Sequence, residues 1–186
     1  DETTLNAPLL ARRAEQSGVK MVTVHGRTRC QFYKGRADWC AIARVKEVVS
    51  IPVVANGDVE TPQDAASILA QSGADAVMVG RASYGAPWAS GTIAAGAAGR
   101  SAANSLVTTQ EMADYIIAHY EDMLALYGRE SGLRQARKHL GWYLDRLGEC
   151  PPQLRACILT SFDPAAVISA LRQAFAVSRS PQRCAA

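Results

Sequence analysis

Ile51-Pro52-Val53-Val54-Ala55-Asn56-Gly57-Asp58 is a short apolar, β-branched run closed by Asn, Gly and Asp, the composition of a buried strand that ends at a turn. The pattern returns at Ala74-Asp75-Ala76-Val77-Met78-Val79-Gly80-Arg81. Between them Thr61-Pro62-Gln63-Asp64 opens a helix, with Thr61 as N-cap and Pro62 at the first helical position, and Gly73 stops it. Two buried strands joined by one helix make a parallel βαβ unit. Glycine at both carboxyl ends makes those ends a candidate phosphate site.

Upstream, Val19 to Val24 reads as a third strand, ending at His25-Gly26-Arg27-Thr28-Arg29. A helix over Leu5–Ser17 precedes it, with Leu5, Leu9, Leu10 and Ala14 at helical spacing, and another follows over Trp39–Val49. Residues 30–37 read as a loop. Helix and strand alternate three times, so the fold class is α/β, a parallel sheet covered by helices. Residues 90–105 turn to Gly, Ala and Ser and read as a linker. Beyond them the strand signal vanishes. Thr108-Thr109-Gln110-Glu111 is a capping box, and three apolar stripes follow, from Met112 to Met123, Leu133 to Leu147 and Val167 to Phe175. Residues 106–178 therefore read as a small all-helical domain, and 179–186 as a disordered tail.

The 186 residues, 48% hydrophobic and 20% charged, describe an ordinary globular chain. A net charge of +3 is too small to identify a partner. The five cysteines carry no C-x-x-C pair and no metal-ligand spacing with the three histidines, which reads as reduced thiols in a cytoplasmic protein and names no metal. No cysteine has an identifiable base beside it; Cys30, among basic residues, is the least implausible nucleophile. The chain opens with Asp almost directly in a helix, as a piece of a longer protein would.

Asn56-Gly57-Asp58 is either a plain turn before a capped helix or a cradle whose backbone a ligand approaches closely. Gly80-Arg81 at the next strand end favours the cradle, since arginine grips phosphate bidentately. His25 occupies the third strand end, and Arg27, Arg29, Lys34 and Arg36 follow without an acidic residue. That run is either a solvated loop or a receiver of a polyanion. Arg134, Arg137 and Lys138 lie at i, i+3 and i+4 opposite a leucine stripe, a solvated face or a nucleic-acid contact.

Together Val24-His25-Gly26-Arg27-Thr28-Arg29, Ala55-Asn56-Gly57-Asp58, Val79-Gly80-Arg81-Ala82 and Pro87-Trp88 resemble the second half of the bacterial tRNA-dihydrouridine synthases. Ala136-Arg137-Lys138-His139-Leu140-Gly141-Trp142-Tyr143-Leu144 is similar to a motif of that family's C-terminal helical domain. The resemblance implies the last three βα units of a (β/α)8 TIM-type barrel over residues 1–89, binding FMN, and a helical tRNA-binding domain over 106–178. It implies reduction of tRNA uridines by FMN that NADPH has reduced. It also implies FMN contacts at His25, Asn56, Gly57, Asp58, Gly80 and Arg81, with Arg27 and Arg29 towards flavin or tRNA and Arg134, Arg137 and Lys138 towards tRNA. The family's catalytic cysteine and flavin-binding lysine belong to the barrel's first half, and neither motif is here. Three strands cannot close an eight-stranded barrel, so the expectation is a chain inactive alone that binds FMN weakly at best. The alternatives are a noncatalytic RNA-binding module and another FMN- or phosphate-binding barrel oxidoreductase.

Overall fold

A computed structural model describes residues 1–100 and 109–177. These divide into two compact units, residues 1–83 with 87–100, and residues 84–86 with 109–177.

The first unit runs α1 (Ala7–Gln16), β1 (Val22–His25), α2 (Trp39–Lys46), β2 (Val53–Asn56), α3 (Pro62–Ser72), β3 (Ala76–Met78) and α4 (Ala89–Ala97). The strands form one parallel sheet in the order β1-β2-β3, with Val24 beside Ala55, Ala55 beside Val77, His25 beside Asn56 and Asn56 beside Met78. Because side chains alternate along each strand, this register separates two faces. Val53 and Ala55 are fully buried, and Val22, Val24 and Val77 pack with them against Ile42, Ala65 and Ile68 of the helices. On the other face Thr23, His25, Ala76 and Met78 are exposed, and Val54 and Asn56 are half-buried. Parallel sheets usually bury both faces; this one is dressed on one.

Local chemistry explains the elements. Thr61 caps α3 by accepting from the Asp64 amide, the Asp64 carboxylate answers at the Thr61 amide, and Gly73 closes the helix at φ 63°. Asp75 accepts from Lys46 and from the Val53 amide, tying α2, β2 and the entry to β3 together.

One expectation needs correction, and two further features were not read from the sequence. The linker over 90–105 is in part helix: α4 occupies Ala89–Ala97. Its Ala-Gly composition serves close approach, since a Cβ at Gly96 would meet Pro62 Cγ at 2.5 Å. Pro152–Thr160 is a helix with no place in the sequence reading. Leu9 and Leu10 of α1, and Leu5 before it, are exposed, and Ala11 is the residue α1 buries. The capping box at Thr108 and the tail 179–186 lie outside the described residues.

The second unit holds α5 (Thr109–Tyr127), α6 (Arg129–Leu147), α7 (Pro152–Thr160) and α8 (Pro164–Val177). Helix α5 packs on α6 and α8, and α7 packs on α6 and α8. Ile116, Tyr120, Leu140, Leu144, Ile158 and Leu171 are almost wholly buried, and each such aliphatic side chain contributes about 1.5–3 kcal/mol. No described helix is long and apolar enough to cross a membrane.

Candidate functional site at the strand ends

The three strands deliver His25, Asn56-Gly57-Asp58 and Gly80-Arg81 to one edge of the sheet. Asn56 Nδ2 donates to the Met78 carbonyl at 2.9 Å, and the Gly26 amide donates to the Asn56 carbonyl at 3.0 Å, so the three ends are laced together. Gly57 has φ 129°, and a Cβ there would meet Ala37 Cβ at 2.6 Å and His25 Cε1 at 3.3 Å. No other residue fits under the loop. The Gly57 carbonyl accepts from Trp39 Nε1 at 2.8 Å.

Asp58 follows in the left-handed region, φ 54°, which Asp tolerates better than most residues. Its Oδ2 accepts from Arg27 Nη2 at 2.6 Å and from the Ala37 amide at 2.8 Å, and its Oδ1 accepts from Arg81 Nη2 at 3.1 Å. Partial burial works against ionisation. The Arg27 and Ala37 hydrogen bonds and the two arginine charges outweigh it, so the carboxyl sits below its ordinary range.

The two arginines differ. The Arg27 side chain is 4% exposed and lies beneath its loop, with Nε on the Lys34 carbonyl, Nη2 also on the Gly35 carbonyl, and Nη1 buried without a partner. The Arg81 side chain is 46% exposed. Open space surrounds a Cβ built on neighbouring Gly80. His25 is exposed on the undressed sheet face; partial desolvation, then the Arg27 charge, lowers its pKa, while the Asp58 charge opposes them. A cleft of about 630 Å³ opens beside it, walled by Leu5, Asn6, Pro8, Gly26, Thr28 and Ile42.

Phe32 and Tyr33 were not singled out by the sequence. Phe32 has φ 52°, a conformation costing a bulky residue roughly 1–3 kcal/mol. The two rings meet edge to face at 4.3 Å. Arg29 stands 5.4 Å from the Phe32 centroid and Arg81 stands 5.1 Å from that of Tyr33. The only sequence signal is an aromatic pair inside a basic run.

In the helical unit, Arg134 is exposed and pairs with Glu130 at 3.5 Å, a contact worth little. Lys138 lies 5.8 Å from the Trp142 ring, whose other neighbours are His139 and Tyr84, the latter stacked at 3.9 Å. Arg137 is partly engaged: it donates to the Thr160 carbonyl at 3.2 Å and stands over the exposed ring of Phe162 at 5.0 Å. The three thus share a helix but not a set of contacts.

A parallel α/β sheet with polar and glycine-bearing strand ends, joined in one chain to a four-helix unit, is the class of protein these observations define. A family model described as "Dihydrouridine synthase (Dus)" matches residues 1–179, and the chain belongs to that family. It is similar to the "Probable tRNA-dihydrouridine synthase" of Rhizobium leguminosarum bv. phaseoli, 51% identical over 178 residues, covering 94% of this chain and 53% of the relative. The protein of the same description from Rhodobacter capsulatus is 51% identical over 175 residues, covering 94% and 53%. The "tRNA-dihydrouridine synthase B" of Xanthomonas axonopodis pv. citri is 45% identical over 141 residues, covering 74% and 41%. The chain spans about half the length of these curated relatives.

Proposed function

We propose that this chain is the cofactor-phosphate and tRNA-facing portion of an FMN-dependent tRNA-dihydrouridine synthase, which reduces uridines in tRNA to 5,6-dihydrouridine with NADPH as reductant. The observation that carries the reading is the strand-end mouth, where Asp58, bonded to the buried Arg27, holds the exposed Arg81 beside the open backbone of Gly80. Family membership and the relatives' names support the activity.

In this reading β1, β2 and β3 are the last three strands of a (β/α)8 barrel. The half-dressed sheet supports it, since Thr23, His25, Val54, Asn56, Ala76 and Met78 lie on the face that a closed barrel turns inward. Ligands of such barrels bind at the carboxyl ends of the strands. The residues there fit a phosphate-bearing cofactor: Arg81 and Gly80 bind the phosphate, Asp58 orients Arg81, and Asn56 and Gly57 fix the edge beneath it. His25 faces the flavin. When bound, the flavin supplies the hydride. Arg29, Arg134, Arg137 and Lys138 meet the tRNA backbone, while Arg27 acts beneath the loop. The catalytic cysteine that the family resemblance implies is assigned to the part of the relatives that this chain does not span.

A chimaera tests this. The chain replaces the matching segment of the Rhizobium leguminosarum relative, and dihydrouridine is measured in tRNA from a strain lacking the enzyme. The expected result is a flavin-bearing chimaera that restores dihydrouridine. A chimaera that folds, retains no flavin and leaves uridine unreduced, while the intact relative works, contradicts the reading.

A further inference from the structure

We propose that Phe32 and Tyr33 form a stacking platform for an unpaired nucleobase of the RNA substrate. The inference rests on the RNA reading above and names a contact within it.

Phe32 is 57% exposed and Tyr33 60% exposed, side by side on one loop. In this chain both rings are presented to solvent. Phe32 adopts its left-handed backbone at φ 52° where glycine or asparagine would do so freely. The rings meet at 68°, so the pair does not consume both faces in mutual stacking. Arg29 and Arg81 approach the two rings at 5.4 and 5.1 Å, which orients the rings and places positive charge beside them. Lys34 and Arg36 extend that charge along an exposed loop.

Aromatic faces interleaved with cations are the chemistry that receives single strands. The cations attract phosphodiesters, and each ring offers a π-face that any base can stack on. A duplex keeps its base faces stacked within the helix, so the occupant is an unpaired residue. Arg81 fixes where the platform lies. It bonds Asp58 through Nη2 and lies over Tyr33, so a base on Tyr33 is held next to the strand-end mouth.

The test uses the 186-residue chain and two fluorescein-labelled probes, unmodified tRNA and an oligouridylate, with affinity read by anisotropy. Phe32→Ala and Tyr33→Ala should each weaken oligouridylate binding about 5- to 100-fold. Tyr33→Phe, which keeps the ring, should bind as the unsubstituted chain does. The salt dependence should not change, because no phosphate contact is removed. Alanine variants that bind both probes normally overturn the platform and leave the RNA reading standing. A Tyr33→Phe chain as weak as Tyr33→Ala assigns the effect to the hydroxyl and overturns stacking. An unsubstituted chain that binds neither probe overturns the RNA reading, and the platform with it. Circular dichroism monitors folding; should Phe32→Ala fail to fold, the two Tyr33 variants decide alone.

Discussion

Asp58 joins two arginines of opposite character. Through Oδ2 it accepts from Arg27, buried beneath the loop, and through Oδ1 from Arg81, nearly half open to solvent. The exposed half of this arrangement is worth little as stability. The buried half is a necessity, because a guanidinium taken out of water without its carboxylate is costly. Arg27 therefore anchors Asp58, and Asp58 in turn aims Arg81. The exposed arginine is thus held in place by way of the buried one.

Removing the carboxylate should expose that dependence. Asp58→Ala should destabilise the chain by about 2–4 kcal/mol, the cost of stranding a buried charge. Asp58→Asn, which can still accept hydrogen bonds, should cost less. Denaturant unfolding followed by circular dichroism checks both. An Asp58→Ala midpoint equal to that of the unsubstituted chain would mean that Arg27 finds other partners.

Gly57→Ala should cost about 2 kcal/mol or more, because φ 129° strains any β-carbon and the new methyl falls 2.6 Å from Ala37 Cβ. The same methyl approaches His25 Cε1 at 3.3 Å, so its proton resonances should shift. An unperturbed His25 spectrum in a folded Gly57→Ala chain would contradict the packing described.

His25 and His139 contribute to the acid side of stability. His25 is lowered from 6.5 by desolvation and then by Arg27; His139 is lowered from 6.5 by desolvation and then by His119 and Lys138. Below 6.5 the unfolded chain takes up these protons before the folded one. Stability should therefore fall as pH drops from about 6.5 to the folded-state values, and these groups should add nothing above it. Asp58 acts lower: its contribution is present above its ordinary 3.8 and is lost as pH falls through its depressed folded value. Proton NMR titration should give midpoints below 6.5 for His25 and His139. A midpoint at or above 6.5 for either removes it from this account.

The basic residues of α6 should separate into two kinds. Arg134→Glu and Lys138→Glu should weaken tRNA binding, lessen its salt dependence and leave thermal stability alone. Arg137→Glu should also lower stability by about 1 kcal/mol, through loss of its bond to the Thr160 carbonyl and its place over Phe162. Unchanged tRNA affinity in Arg134→Glu and Lys138→Glu would mean a solvated face.

What the sequence conveyed was local and periodic. Strand β2, its Asn-Gly-Asp end, the Thr61 cap and the Gly73 stop are written in adjacent residues and appear where expected. Helix α4 was hidden because alanine and glycine mark both flexible connections and close-packed helices; the deciding partner, Pro62, is distant in sequence. Helix α7 opens at Pro152 with Pro151 as its N-cap, a use of proline at a helix start that has no apolar period of its own to announce it. Leu9 and Leu10 carry helical spacing, but spacing gives a face and not what lies opposite it. Arg27 looked like any loop arginine because its partner is Asp58, 31 positions on. Phe32 gave no sign of its backbone angle.

The central claim, that Arg81, aimed by Asp58, holds a flavin's phosphate, is tested most directly by comparing FMN with riboflavin in the chimaera. Fluorescence titration should show FMN bound about 10- to 100-fold more tightly, the worth of a charge-assisted phosphate contact. Arg81→Ala should erase most of that preference and leave riboflavin affinity unchanged. Equal affinity for the two flavins, or a preference that survives Arg81→Ala, would contradict the account.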